Sequence, residues 1–321
     1  MGRWLSVLFR GLALIALALS LAQVSGAAQT APDPGLEKHR PLFSFRDPAL
    51  TAKLERTLRK QPGWGRLLRQ RRLAVAVVDL SGGQPRFASV NGNVMMYAAS
   101  LPKIAILLAA YQSFEDDSLA ETPEVHRDLA DMIRTSDNPA ATRMIDRIGM
   151  AKIERVLRDP RYGLYDEKRG GGLWVGKRYA SDGPRLGDPM FNLSHGATAD
   201  QVARFYYLLA TGRLVSPQRS AQMLKDLSSP GISHKFVASL KDRAPDARLY
   251  RKSGTWKQWH SDSVLVKGKR WRHYILVALV QSPRGAKIIG SMVPVVEGVI
   301  YPADTSRGGA LEDTAAAPSS G

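Results

Sequence analysis

The chain has 321 residues, 44% of them hydrophobic and 23% charged, with no cysteine and a formal net charge of +17. That length and balance suit a globular protein with a substantial core, and the lack of cysteine excludes disulfides, thiolate catalysis, cysteine-ligated metals and a lipidated N-terminal cysteine. The charge suits an anionic surface such as cell wall or lipid headgroups, and a merely solvated basic face would look the same; the basic residues are scattered and accompany no nucleic-acid motif, so no nucleic-acid partner is expected.

Residues 1–27 have the layout of a secretory signal peptide: Arg3 and Arg10, an apolar run from Gly11 to Ala22, then Ser25-Gly26-Ala27. The apolar core is short for a membrane span, and an uncleaved anchor is the alternative. The expected address is the periplasm or the exterior, with a mature start near Ala28. Residues 28–46 read as a proline-bearing leader, 47–301 as one domain, and 302–321 as a tail with the composition of disorder.

Within the domain, residues 47–61 carry a helical stripe at Leu50, Leu54 and Leu58, behind Asp47-Pro48. Residues 72–90 read as a hairpin, because an apolar β-branched run meets Ser-Gly-Gly and then returns. An apolar helix follows, opened by Ser100 and Lys103, then helices over 124–137 and 139–159. Residues 160–197 are glycine-rich and without period, which in a compact domain marks a functional loop. Helix resumes after Thr198, where Thr198 and Gln201 form a capping-box pattern and Gly212 suits the end. Three strands then fill 247–282, and a last amphipathic helix spans 285–301. Strands at both ends with helices between predict an α/β (α+β) fold: an antiparallel sheet closed by the two chain ends, with covering helices and a helical insert.

The chemistry gathers in three short motifs. Ser100 and Lys103 open the apolar helix. A serine hydroxyl is a weak nucleophile until a base takes its proton. A lysine three positions on shares its helix face, and burial lowers the lysine pKa until it can act as that base. The helix N-terminus offers free N–H groups to an oxyanion. Ser136-Asp137-Asn138 and Lys252-Ser253-Gly254 follow in that order.

With these three motifs the chain resembles the class A β-lactamases and the wider penicillin-recognising serine hydrolases, over roughly residues 47–300. The resemblance implies a β-lactamase/transpeptidase-like fold and acyl transfer to Ser100 from a β-lactam or a peptidoglycan stem peptide. It implies proton delivery by Ser136, amide recognition by Asn138, carboxylate binding by Lys252 and Ser253, and an oxyanion contact from the Thr255 amide. It calls for no cofactor or metal, and a monomer is expected. The plain alternatives are helix capping for Ser136 and Asn138, and an exposed strand-edge lysine at Lys252. Asp137 reads as structural.

Two departures stand out. The stretch from Ser100 to Ser136 is shorter than usual in class A enzymes, and the glutamate that activates their deacylating water has no counterpart followed by asparagine. Glu154 and Glu167 are the only glutamates between Ser136 and Lys252, and Asp182 lies nearest the expected position. Asp182 is therefore the candidate base, and a D-alanyl-D-alanine peptidase or a penicillin-binding sensor is the alternative function. The histidines His39, His126, His195, His234, His260 and His273 show no metal-ligand spacing. A loop-ordering hydrogen bond is expected for His195, and Trp256 and Trp259 are candidates for the substrate rim.

Overall fold

In the computed structural model, which describes residues 40–269 and 271–301, the chain is packed from Leu42 onward. These residues all belong to the unit Arg40–Gly321. The expected signal segment, most of the expected leader and the expected tail lie outside the described residues. The domain is packed ahead of residue 47: Leu42 is buried, Phe43 meets the Phe87 ring and Phe45 meets that of Tyr207.

Helix α1 (Pro48–Arg59) starts as its sequence demands, with the Asp47 carboxylate accepting from Leu50 N at 2.8 Å. A short α2 (Trp64–Arg69) precedes the hairpin of β1 (Leu73–Asp79) and β2 (Arg86–Val90). After β3 (Met96–Tyr97) come α3 (Lys103–Glu115), α4 (Pro123–Arg134), α5 (Asn138–Ile148) and α6 (Met150–Arg158). The irregular stretch contains short strands, β4 (Tyr165–Asp166), β5 (Gly171–Gly172), β6 (Trp174–Val175) and β7 (His195–Ala197), and a 3-10 turn over Glu167–Arg169. Then follow α7 (Ala199–Ala210), α8 (Pro217–Leu227), α9 (Phe236–Arg243), β8 (Arg248–Trp256), β9 (Trp259–Lys267), β10 (His273–Gln281), α10 (Gly285–Gly290) and α11 (Met292–Ile300). The expected last helix is thus two, broken at Ser291.

The main sheet is antiparallel in the order β2-β1-β10-β9-β8. Strand β1 pairs with β10, Leu73 opposite Val280, so the two ends of the domain close one sheet as the sequence predicts. Side chains alternate across it. Leu73, Val75, Val77, Leu276 and Ala278 pack under α1, α9 and α11, whereas Ala74, Ala76, Val78, Ile275 and Val277 face the cluster around α3 and α7. Burial on both faces explains why β1 reads as a continuous apolar run. Among the described residues no helix is long and apolar enough to cross a membrane.

Two features of this frame place the site. Helix α3 is buried from Lys103 to Phe114, enclosed by α4, α5, α6 and α8. Strand β8 is a sheet edge, paired with β9 and bridged at Tyr250 to Ser228, and passes the head of α3.

Candidate active site

Ser100 does not lie in the helix. Pro102 is the N-cap of α3, and Ser100 sits two residues earlier in a tight turn where Lys103 N donates to Ser100 O at 3.3 Å. Ala99 enters this turn with φ of +51°, a left-handed conformation that costs a residue with a Cβ. Two side-chain hydroxyls brace it: Ser261 Oγ donates to Ala98 O at 2.8 Å and Tyr179 OH to Ala99 O at 3.1 Å. The turn leaves Ser100 at the cavity wall, and among the described residues its amide N–H donates to no acceptor.

Strand β8 can approach this turn only through Gly254. A Cβ there would overlap Ala98 O and lie 2.7 Å from Ser100 N. The glycine thereby brings the next residue, Thr255, beside the nucleophile, and Thr255 lines the same cavity.

Lys103 is fully buried. Its Nζ donates to Ser136 O at 2.6 Å, Asp137 O at 3.1 Å and Asn138 Oδ1 at 2.8 Å. None of these hydrogen bonds reaches Ser100 Oγ, so the shared-face contact expected from the spacing is not formed. Burial lowers the Lys103 pKa to about 7, against the opposing pull of the Asp137 carboxylate. The lysine is therefore poised between ammonium and amine near neutral pH.

The Ser136 turn also has left-handed backbone, with φ of +65°. Capping of α5 falls to Asp137, whose carboxylate accepts from Ala140 N at 2.6 Å. That frees Ser136 and Asn138 from the capping role offered as their alternative. Ser136 Oγ instead accepts from Lys252 Nζ at 2.8 Å. Lys252 is 2% exposed, no strand-edge lysine in water. Burial first, then the charges of Lys103 and Arg251, push its pKa well below the usual lysine value. Arg251 is neutralised by Asp262 through two hydrogen bonds, at 2.7 and 3.0 Å.

Ser100 and Asn138 line a cavity of about 800 Å³ together with Thr255, Tyr179, Trp256 and Trp259, among others, and Lys103 and Lys252 lie buried behind this lining. No carboxylate is among its lining residues. Asp182 lies exposed beside Gly183, whose φ is +89°, in the turn closed by the Lys177–Arg185 bridge. That geometry carries it to the tip of the turn, outside the cavity lining, so the expectation of a base at Asp182 finds no geometric support. Glu167 is turned to Arg158 at 3.3 Å, as is Glu154 at 3.0 Å.

Three neighbours escaped the sequence reading. Lys235, also buried, donates to Gly254 O at 2.7 Å and Thr255 Oγ1 at 2.8 Å, which fixes β8 beside the nucleophile. His234 Nε2 lies 3.3 Å from Ser253 Oγ. Tyr179 places its ring 4.5 Å from Lys103 Nζ. Isolated basic and aromatic residues in loops carry no local signal, so only the tertiary fold could reveal them. His195 orders the loop as expected, its Nε2 3.0 Å from Lys177 O, and burial lowers its pKa to about 4.

The fold is of the β-lactamase/transpeptidase type. It is similar to a β-lactamase from Sphaerobacter thermophilus (TM-score 0.59, 17% identity, covering 74% of this chain and 96% of that one). It is similar also to PBP-A (TM-score 0.56, 18% identity, 79% and 96%) and to a class A β-lactamase from Bacteroides cellulosilyticus (0.56, 15%, 78% and 98%). A PBP-A mutant in an acyl-enzyme complex with penicillin-G matches with a TM-score of 0.58 and 19% identity over 79% of this chain and 96% of that one. Comparison with curated proteins finds no match. The family model described as Beta-lactamase enzyme family (Beta-lactamase2) matches residues 121–293, a span that holds Ser136 and Lys252 and begins after Lys103. The chain belongs to this family.

Proposed function

We propose that the protein is an exported serine acyl hydrolase that opens β-lactam rings by acylating Ser100 and releases the acyl group slowly, its natural donor being a D-alanyl stem peptide of peptidoglycan. The observation that supports this best is the Lys252–Ser136 hydrogen bond of 2.8 Å, with buried Lys103 on the same turn, beside a cavity lined by Ser100 and by no carboxylate.

In this reading neutral Lys103 takes the proton of Ser100 Oγ as that oxygen attacks the amide carbon. The oxyanion is met by the free Ser100 N–H and that of Thr255. As the C–N bond breaks, the Ser136 hydroxyl gives its proton to the leaving nitrogen and is resupplied by the Lys252 ammonium that donates to it, while Lys103 keeps the proton taken from Ser100. The substrate carboxylate faces Lys252 and Ser253, and Asn138 meets the acyl side-chain amide. An ester remains on Ser100. Its hydrolysis needs an activated water, and with no carboxylate in the lining Lys103 is the base at hand, so release lags behind acylation.

Fast turnover of β-lactams is the second reading, favoured by the family match and by a Lys103 pKa of about 7 that could serve both steps. A chase experiment separates the two: protein labelled with a fluorescent penicillin is mixed with excess unlabelled β-lactam and the bound label followed. Label that outlasts many turnovers of a β-lactamase supports slow release. Label lost within seconds establishes β-lactamase turnover, and no label at all leaves a binding protein. Export is tested separately by N-terminal sequencing of secreted protein, with a start near Ala28 expected.

A further inference from the structure

Tyr179 makes three contacts around the nucleophile turn. Its ring lies 4.5 Å from Lys103 Nζ, its hydroxyl donates to Ala99 O at 3.1 Å, and it packs on the His195 imidazole at 4.3 Å between centroids. His195 is itself held by the Lys177 carbonyl, which anchors that contact. Tyr179 lines the cavity with Ser100 and Asn138, whereas Lys103 is fully buried and is not among the lining residues.

We infer that Tyr179 is a positioning residue for acylation: its ring keeps Lys103 dry enough to act as a base, and its hydroxyl holds the strained Ala99 turn that presents Ser100. The inference rests on the reading of Ser100 as nucleophile and Lys103 as its base, and it adds the group that tunes that base.

The ring has two opposite effects on Lys103, and their sizes decide the sign. Attraction between an ammonium and an aromatic face favours the charged form, by roughly one and a half pKa units at a desolvated site such as this one. Exclusion of water favours the neutral form, by up to roughly 3–5 units for a fully buried group. Desolvation is the larger, and it is the leading cause of the lowered Lys103 pKa. The other groups facing Lys103 are the Asp137 carboxylate, which favours the ammonium, the Lys252 ammonium, and His195, which is neutral above about pH 4. Tyr179 itself does not titrate in the useful range, because burial holds its phenol well above 10, so it remains a donor to Ala99 O.

The experiment is a titration of the Lys103 side chain by carbon-detected NMR on lysine-labelled full chain, alongside the rate of labelling by a fluorescent penicillin, for wild type, Tyr179→Ser and Tyr179→Phe. Tyr179→Ser opens the Lys103 side of the cavity, and the Lys103 pKa should rise by about one unit or more. The acid limb of the acylation rate should move to higher pH by the same amount. Tyr179→Phe keeps the ring and loses the hydroxyl, so Lys103 should titrate as in wild type while acylation slows by roughly threefold to tenfold. An unmoved or lowered Lys103 pKa in Tyr179→Ser overturns the inference. Should that variant fail to fold, a Tyr179→Phe protein that acylates at the wild-type rate overturns the hydroxyl's part. A wild type that takes no label refutes Ser100 acylation instead, and the Lys103 titration still decides whether Tyr179 shields it.

Discussion

Lys252 Nζ stands 2.8 Å from Ser136 Oγ, joining the edge strand of the sheet to the turn between α4 and α5. The two residues are 116 positions apart in sequence. Lys103 donates to the carbonyl of the same Ser136, so one serine links both buried lysines. Groups that act as a unit are non-additive when removed. Ser136→Ala and Lys252→Met should each slow acylation by roughly 10²-fold, in the range of a general acid–base contribution, and the double variant should be little slower than either alone. Penicillin labelling rates for the four proteins decide it, and multiplicative losses would show that the two act independently.

Lys103 must be neutral to accept a proton, and its pKa is about 7. Acylation should therefore be half-maximal near pH 7 and fall about tenfold for each pH unit well below that. Lys103→Ala should lower the rate by roughly 10²–10⁴-fold. A stopped-flow pH profile checks both; a flat profile between pH 5 and 8 would remove Lys103 as the base.

The motif order and the buried helix made much of this site legible in advance. Ser100, Lys103, Ser136, Asn138, Lys252 and Thr255 converge as the three motifs suggest, because the apolar run after Lys103 is long enough to form a buried helix and β8, at one sheet edge, passes its head. The sheet was readable because strands buried on both faces leave unbroken apolar runs at 73–78 and 274–280. The loop at 176–194 was not. Its order comes from bonds with no periodic signature, such as His195 Nε2 to Lys177 O and Leu193 N donating to Asp188 Oδ2. By chain position Asp182 lies nearest the expected base, whereas in the turn closed by Lys177 and Arg185 it is Tyr179 that reaches the nucleophile turn, at Ala99 O. Helices α8 and α9 were missed because their apolar stripes are narrow.

Gly254 tests how closely β8 must approach the nucleophile. The added Cβ of Gly254→Ala would overlap Ala98 O and crowd Ser100 N, so the strand or the turn must move. Acylation should fall by about 10²-fold or more, as misplacement on the scale of 1 Å does. The protein should stay folded, because the site lies at a sheet edge. Labelling rate and thermal unfolding measured together check this, and an active Gly254→Ala protein would mean the turn has room to spare.

Three buried lysines also set the stability against pH. The pKa of Lys103 is lowered to about 7, that of Lys235 to about 8, and that of Lys252 well below 10.5, each chiefly by burial. Between those values and 10.5 the unfolded chain binds more protons than the folded one, so stability rises with pH through that window and the cost is fully present below it. The slope should reach about 1.4 kcal/mol per pH unit for each proton of difference. Tyr179 and Tyr274, whose pKa values burial holds above the usual 10, oppose the trend only above about pH 10. Urea unfolding at pH 7, 8 and 9 should give increasing stability; a decrease would mean the lysines are charged and well solvated in the folded state.

The central claim is covalent acylation of Ser100, and intact-mass spectrometry with peptide mapping tests it most directly. Wild-type protein incubated with penicillin should gain the mass of one opened β-lactam, located on the peptide carrying Ser100 and still present long after free drug is removed. Ser100→Ala should gain none. An adduct on any other residue, or no adduct on folded wild type, would contradict the account.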